Sequence, residues 1–391
     1  MATLTSPTAR PDFALATIAE REQAILAPYA QHTLDSVGRK HPEATQDYRG
    51  AYQRDRDRII HSSAFRRLSG KMQVFTGDMG DYHRTRLTHT HEVASIARTM
   101  ARALRLNEDL VEALALFHDI GHPPFGHTGE EALNECVAKE GGFSHNRQAL
   151  VIATELERRY PDYPGLNLSQ EILDGQQTRA DKLRKGNAPL LEVQLVDCAD
   201  SMTYDAHDTD DAVKLGWVSI EEMGKLTLIR EALMEVRRNH ANLSGDLLRK
   251  ALVHQLLDRQ VRDTLQTTGA FLADCQWQST ADVRGSDFRM GPSAEIKEQK
   301  AELEKFLYRE VYRNPRILTV RTEAQSRLKQ LWAIYCGEPA LLPPHFRLRA
   351  EVVGVPRAAV DYISGMTDRF CYQRYEELGG RKGLGGIDHP G

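Results

Sequence analysis

Hydrophobic positions along the chain recur at helical spacing, and strand signals are scarce. From Thr90 to Leu104 the apolar positions Val93, Ile96, Ala97, Met100 and Leu104 share one helix face. Asn107 has the residue type and place of an N-cap for a helix over Glu108 to His118. That segment is apolar on nearly every side, which predicts a central position. Gly141-Gly142 breaks the chain, and Ser144 is placed to cap a helix running to about Tyr160, before a loop bounded by Pro161 and Pro164. The polar run 176–188 reads as an exposed loop, and a helix from about Leu190 carries Asp200, Tyr204 and Asp208. Further amphipathic stretches cover Ile229 to Val236, Leu247 to Leu265 and Ala294 to Tyr312, punctuated by Pro292, Pro315 and Pro343-Pro344. Ala359, Ile363, Met366 and Phe370 predict one last helix, followed by a Gly-rich, flexible tail from Gly379. The pattern predicts an all-α fold. Its expected parts are an N-terminal helical extension (1–49), a catalytic core (50–220), a C-terminal helical region packed on that core (221–375) and a tail (376–391).

Bulk properties narrow the function classes. The 391 residues suffice for one large or two ordinary domains, and 41% hydrophobic with 27% charged residues is a globular composition. A net charge of −4 gives no support for nucleic acid as a bulk electrostatic partner. No run approaches the roughly 18 apolar residues of a membrane span, and Met1 to Asp12 lacks an apolar signal core. The five cysteines are odd in number, widely spaced and never in a CxxC pair, which reads as reduced thiols in a cytoplasmic protein.

The chemistry concentrates in one region. Seven of the 15 histidines fall between His83 and His145. Apolar Leu114, Leu116 and Phe117 lead directly into His118-Asp119, placing expensive polar groups at the edge of a core, where they need a partner such as a metal. A His-Asp pair alone is weak, but a preceding helix offers His89 and a later one offers Asp197 or Asp200. Two imidazoles and two carboxylates suit Mn²⁺, Mg²⁺, Fe²⁺ or Zn²⁺ and leave positions for water and substrate. His122 and His127 follow around a Pro-Pro pair, with Glu130 close behind.

These residues resemble a known family. The carrying segments are His83-Arg-Thr-Arg-Leu-Thr-His89, His118-Asp-Ile-Gly-His-Pro-Pro-Phe-Gly-His127 with Gly129-Glu130, Phe143-Ser-His-Asn146 with Gln148, Asp200 through Asp208, and Ser364-Gly-Met-Thr-Asp-Arg369. The chain is similar over roughly residues 50 to 375 to the deoxyguanosine-triphosphate triphosphohydrolase (dNTPase) family of the HD-domain superfamily. The resemblance implies an HD-domain helical fold with additional C-terminal helices. It implies a divalent metal, Mn²⁺ or Mg²⁺ first, and cleavage of dGTP or another dNTP to deoxynucleoside and tripolyphosphate. It also implies a homo-oligomer such as a hexamer, with an activating dNTP as a further partner. By motif, it assigns His89, His118, Asp119 and Asp200 to the metal; the family's Asp, Tyr at +4, Asp at +8 pattern selects Asp200 over Asp197. It assigns His127, Glu130 and His122 to catalysis, and Arg86, His145 and Asn146 to phosphate. Tyr204 is assigned to the sugar ring and Asp208 to its 3′-hydroxyl. Lys71 and Gln73 fall where the family places substrate contacts. The chain departs from the family at Arg147, a cation where a small residue is usual, which bears on nucleotide preference. Alternative readings of the same residues are a phosphomonoesterase or phosphodiesterase of the superfamily, or a nucleotide-sensing regulator.

Overall fold

The computed structural model describes residues 16–44, 46, 48–73, 84–181 and 188–379. Among these the chain is helical, with isolated β-bridges such as Met72 to Thr85 and no sheet. The first half contains α1 (Ile18–Ile25), α2 (Ala51–Ile60), α3 (Ser63–Arg67), α4 (Arg86–Ala103), α5 (Glu108–Phe117), α6 (Gly126–Cys136), α7 (His145–Val151), α8 (Gln170–Ala180) and α9 (Leu191–Lys214). The second half contains α10 (Ile220–Met223), α11 (Thr227–Asn239), α12 (Gly245–Asp274), α13 (Thr280–Arg284), α14 (Ala294–Leu307), α15 (Pro315–Gly337), α16 (Pro344–Val353), α17 (Val355–Ser364) and α18 (Asp368–Glu377).

The central helix is α5. Asn107 caps it, its side chain accepting the Leu110 N–H, and every residue from Ala113 to Phe117 is buried. It packs against α2, α4 and α9, so the chain leaves its C-terminus, at His118, inside the protein rather than at the surface. At roughly 1.5–3 kcal/mol for each large apolar side chain buried, this wall of Leu110, Val111, Leu114, Leu116 and Phe117 holds the histidine in place. A second core joins α6 to α15 and α17, and a third joins α11, α12 and α14. Among the described residues no helix is long and apolar enough to cross a membrane. All five cysteines are free.

Several sequence expectations change. The helix over Thr90–Leu104 starts earlier, at Arg86, because Thr85 accepts the Thr88 N–H and caps it. The helix expected to reach Tyr160 ends in a π-turn over Ile152–Leu156. The chain there folds back, with Gly165 N–H on the Glu157 carbonyl and Leu166 N–H on that of Ala153. Ser144 stands at the N-cap of α7 but makes no side-chain capping bond. The run 176–188 is not loop throughout: residues 176–180 finish α8, and 182–187 lie outside the described residues. The single last helix is two, broken at Gly365 and restarted by Thr367, which accepts the Phe370 N–H. His83 and the tail beyond Gly379 also lie outside the described residues.

Candidate active site

His118 is the C-cap of α5. Its Nδ1 lies 2.5 Å from the Ala115 carbonyl oxygen. A carbonyl only accepts, so Nδ1 carries the proton and Nε2 presents a lone pair. That buried Nε2 has no hydrogen-bond partner. It faces Asp119 Oδ1 at 3.3 Å and Asp200 Oδ1 at 3.6 Å. From α4, His89 Nε2 lies 3.1 Å from the same Asp200 oxygen. Donor atoms of His89, His118 and Asp119 all lie within 4.8 Å of one another. A lone pair aimed at carboxylates inside a protein is reconciled by a cation between them, so these residues fit a divalent metal.

The electrostatics agree. Burial lowers the proton affinity of His118 further than Asp119 and Asp200 raise it, which keeps the imidazole neutral and able to ligate. Burial pushes the Asp119 carboxyl up, but the fixed charge of Arg86 opposes it and the group is held well below the carboxylate range. For Asp200, burial is likewise opposed, by the fixed charge of Arg179. Buried Arg86 bonds Asp119 Oδ2 at 2.9 Å, leaving Oδ1 toward the histidines. Asp200, not Asp197, reaches His89 and His118. Asp197 is 46% exposed and held at 2.6 Å by Arg179, whose Nη1 stands 3.7 Å from Asp200 Oδ2.

A second cluster adjoins the first through His122, whose Nε2 lies 3.1 Å from Asp119 Oδ1. Its ring packs 3.8 Å from that of His145 and 5.3 Å from that of His127, between centroids. Glu130 ties the group together. It accepts the His145 N–H at 3.0 Å and lies 2.9 Å from His145 Nδ1 and 3.1 Å from His127 Nδ1. Burial raises the Glu130 carboxyl, but bonds to His127 and His145 reverse this and keep it ionised. His127 is exposed at the rim of an open cleft of about 870 Å³ lined also by Asn146, Arg147, Gln177 and Arg179. The tight run between His118 and Glu130 needs its glycines. A Cβ on Gly121 would stand 2.1 Å from the His145 carbonyl oxygen, and one on Gly126, at φ +56°, 2.8 Å from Arg86 Nη2.

Farther along α9, Asp208 Oδ2 accepts from the Tyr312 hydroxyl, which bonds in turn to that of Tyr204. Asp208 Oδ1 is buried and without a partner. Burial, offset in part by the tyrosine bonds, raises the Asp208 carboxyl to about 7. Asn146 is buried and accepts from Gln176 Nε2 at 2.9 Å. Lys71 turns into the protein, donating to the carbonyls of His122 at 2.5 Å and Ser364 at 2.9 Å. Burial, with Arg67 nearby, lowers its pKa to about 7. Gln73 bonds through its backbone to the Arg84 carbonyl at 3.0 Å, and its buried side-chain oxygen has no partner. Arg147 is exposed, 3.5 Å from the Gly141 carbonyl.

Four neighbours of the site were not singled out from the sequence. Tyr312 comes from the end of the third core, and Arg179 from the polar run read as loop. His207 Nδ1 lies 3.1 Å from His89 Nδ1, and its Nε2 bonds Glu92. His207 falls one residue before Asp208 on a helix whose ligand face was already assigned, and Glu92 falls three after His89. Helical i+3 spacing from a ligand was the available signal for Glu92.

Residues 86–205 match the HD domain, which begins at Arg86 and ends just past Tyr204; residues 290–377 match a phosphohydrolase-associated domain. A deoxyguanosinetriphosphate triphosphohydrolase-like protein of Thiobacillus denitrificans is 41% identical over 364 residues, covering 90% of this chain and 96% of that one. Another of that description from Geobacter sulfurreducens is 40% identical, covering 91% and 96%. With this likeness running nearly end to end, and with a His/Asp cluster at the heart of the matched domain, the chain belongs to the deoxyguanosinetriphosphate triphosphohydrolase-like family of HD-domain phosphohydrolases.

Proposed function

We propose that this protein is a metal-dependent dNTP triphosphohydrolase, releasing deoxynucleoside and intact tripolyphosphate. The observation that carries the reading is the direct abutment of two clusters: His122 Nε2 touches Asp119 Oδ1 at 3.1 Å, so a metal-fitting site lies directly behind a carboxylate-bridged imidazole set whose Glu130, His127 and His145 line the cleft. His89, His118, Asp119 and Asp200 would hold a divalent metal, which when bound would supply Lewis acidity toward the phosphoryl group and lower the pKa of water. Arg179 and Arg147, at the cleft, offset the charge of the triphosphate tail. His145 and Asn146 line the same cleft. His127 takes the proton of the attacking water at Nε2, while Glu130 holds the proton on Nδ1 and stabilises the resulting imidazolium. On the nucleoside side, the unpartnered Asp208 Oδ1 accepts the sugar 3′-hydroxyl, and Tyr204 packs beneath the ring where a 2′-hydroxyl would clash.

The test is product analysis with each dNTP and rNTP, with Mg²⁺ or Mn²⁺, in water enriched in ¹⁸O. Attack at the α-phosphorus yields unlabelled deoxynucleoside and labelled tripolyphosphate. Monophosphate with pyrophosphate, or release of orthophosphate, would overturn the assignment.

A further inference from the structure

His89 stands at the inner end of a chain whose other two members, His207 and Glu92, the proposed mechanism does not use. Glu92 and His89 lie one turn apart on α4, and His207 comes from α9 to stand between them. His207 Nε2 bonds Glu92 Oε2. His207 Nδ1 lies 3.1 Å from His89 Nδ1, with the two rings nearly perpendicular at 70°. Both imidazoles are buried, 3% and 1% exposed, so water does not take over the bond between them, while Glu92 at the outer end of the chain is 50% exposed.

The proton positions follow from donor and acceptor chemistry. A carboxylate only accepts, so His207 Nε2 carries a proton toward Glu92. In neutral His207, Nδ1 is then a lone pair. Two facing nitrogens 3.1 Å apart share one proton, so His89 Nδ1 is the donor. His89 Nε2 is thereby left as a lone pair, aimed at Asp200 Oδ1 at 3.1 Å. The opposite tautomer of His89 would donate Nε2–H straight to Asp200 and close the site against a cation. Left to itself, that closed arrangement is favoured, because it satisfies both groups. His118 is locked in its open form by the Ala115 carbonyl; His89 has no such carbonyl bond and depends on the relay.

We propose that Glu92 and His207 are positioning residues that fix the tautomer of His89 and so keep its Nε2 lone pair available to the metal. This rests on the metal reading of the site. Carboxylates behind ligating histidines affect metal affinity by about 10–100-fold, and here the carboxylate acts through a second imidazole.

The experiment uses the full chain with Mn²⁺ alone, titrated by calorimetry and by loss of the free-ion EPR signal. His207→Phe keeps a ring but removes the acceptor, and should weaken Mn²⁺ binding by about tenfold or more, whereas His207→Asn, whose Oδ1 can stand near the lost Nδ1, should stay within about threefold of the parent. Glu92→Gln lets an amide N–H face His207 and should fall between them. In the metal-free parent protein, ¹⁵N-histidine NMR should show His89 protonated on Nδ1; in His207→Phe the proton should move to Nε2. That shift is one a merely structural role would not produce. An Nε2–H tautomer in the parent protein overturns the proposal, as does parental Mn²⁺ affinity in folded His207→Phe. Absence of Mn²⁺ binding by the parent protein would instead defeat the metal reading itself, which separates the two failures.

Discussion

Replacing Glu130 by Gln tests the proton-handling half of the site without touching the metal half. The Glu130 carboxylate receives three groups: the His145 backbone N–H, His145 Nδ1 and His127 Nδ1. The backbone N–H can only donate, so the amide oxygen of Gln must take the place of Oε1. The amide nitrogen then stands where Oε2 was, 3.1 Å from His127 Nδ1 in the parent structure. An NH₂ group donates, so His127 must turn Nδ1 into an acceptor and move its proton to Nε2. The exposed nitrogen that faces the cleft then carries a proton and cannot accept another. Losing a positioned general base costs about 10²–10⁴-fold, or about 3–5 kcal/mol of barrier at 1.36 kcal/mol per tenfold. The effect should fall on kcat, with KM and Mn²⁺ affinity changed little, because Glu130 lies outside the His89–His118–Asp119 cluster. The assay is steady-state dNTP turnover at saturating Mn²⁺, with Mn²⁺ stoichiometry by calorimetry. A kcat near the parent value refutes the base assignment. Loss of a second equivalent of Mn²⁺ refutes it differently, since His122, Glu130 and His145 would then form a ligand set of their own.

Other consequences are equally direct. His118→Ala removes a ligand outright, so Mn²⁺ affinity should fall by at least the roughly hundredfold ceiling for outer-shell partners, and turnover with it; retained turnover removes His118 from the site. Asp208→Asn should stabilise the protein at pH 8. The folded carboxyl binds its proton with a pKa of about 7 against an ordinary 3.8, so its cost to stability grows as pH rises from about 4 through 7. The displacement sets an upper bound of about 4 kcal/mol, and denaturation of the two proteins should converge toward pH 4; a gap that ignores pH rejects the account. Gly121→Ala forces a Cβ against backbone atoms, the His145 oxygen at 2.1 Å and the Ala149 nitrogen at 2.4 Å, neither of which can rotate away. It should cost about 1–3 kcal/mol and shift α7 with His145, lowering both Tm and turnover; parental values in both would contradict the packing argument.

What the sequence revealed and what it hid have physical reasons. Helical periodicity is local, so α4, α5 and α9 could be read from their apolar positions, and the Asn107 cap from residue type. His118-Asp119 stood out because polar groups follow an unbroken apolar run. Helix ends were harder. Val355 to Glu377 keeps helical spacing across Gly365, so the break between α17 and α18 is invisible to periodicity; Phe370, counted as a core position, is 40% exposed. The end of α7 is set by Gly165 docking on Ala153, a tertiary event. The hidden neighbours are separated in the same way: Tyr312 is 108 residues from Tyr204, and His207 is 115 from Glu92. Spacing along one helix says which residues share a face. It does not say which face of a distant helix arrives opposite.

The distinction matters for how this site is stabilised. Asp119 and Asp200 are buried or half-buried acids whose oxygens converge on imidazole nitrogens, an arrangement that is costly unless every charge is paired. Arg86 satisfies one Asp119 oxygen, and Arg179 stands off one Asp200 oxygen. The remaining oxygens face His89, His118 and His122, and at His118 the facing nitrogen is a lone pair by construction. The residues with the strongest local signal are therefore those whose burial is hardest to justify in isolation. The residues with the weakest signal, Arg179, His207 and Glu92, together with Arg86, which the motif marked for phosphate, are those that make the burial tolerable. A motif thus marks where charge has to be buried, and the fold brings in, from α4, α8 and α9, the partners that orient it.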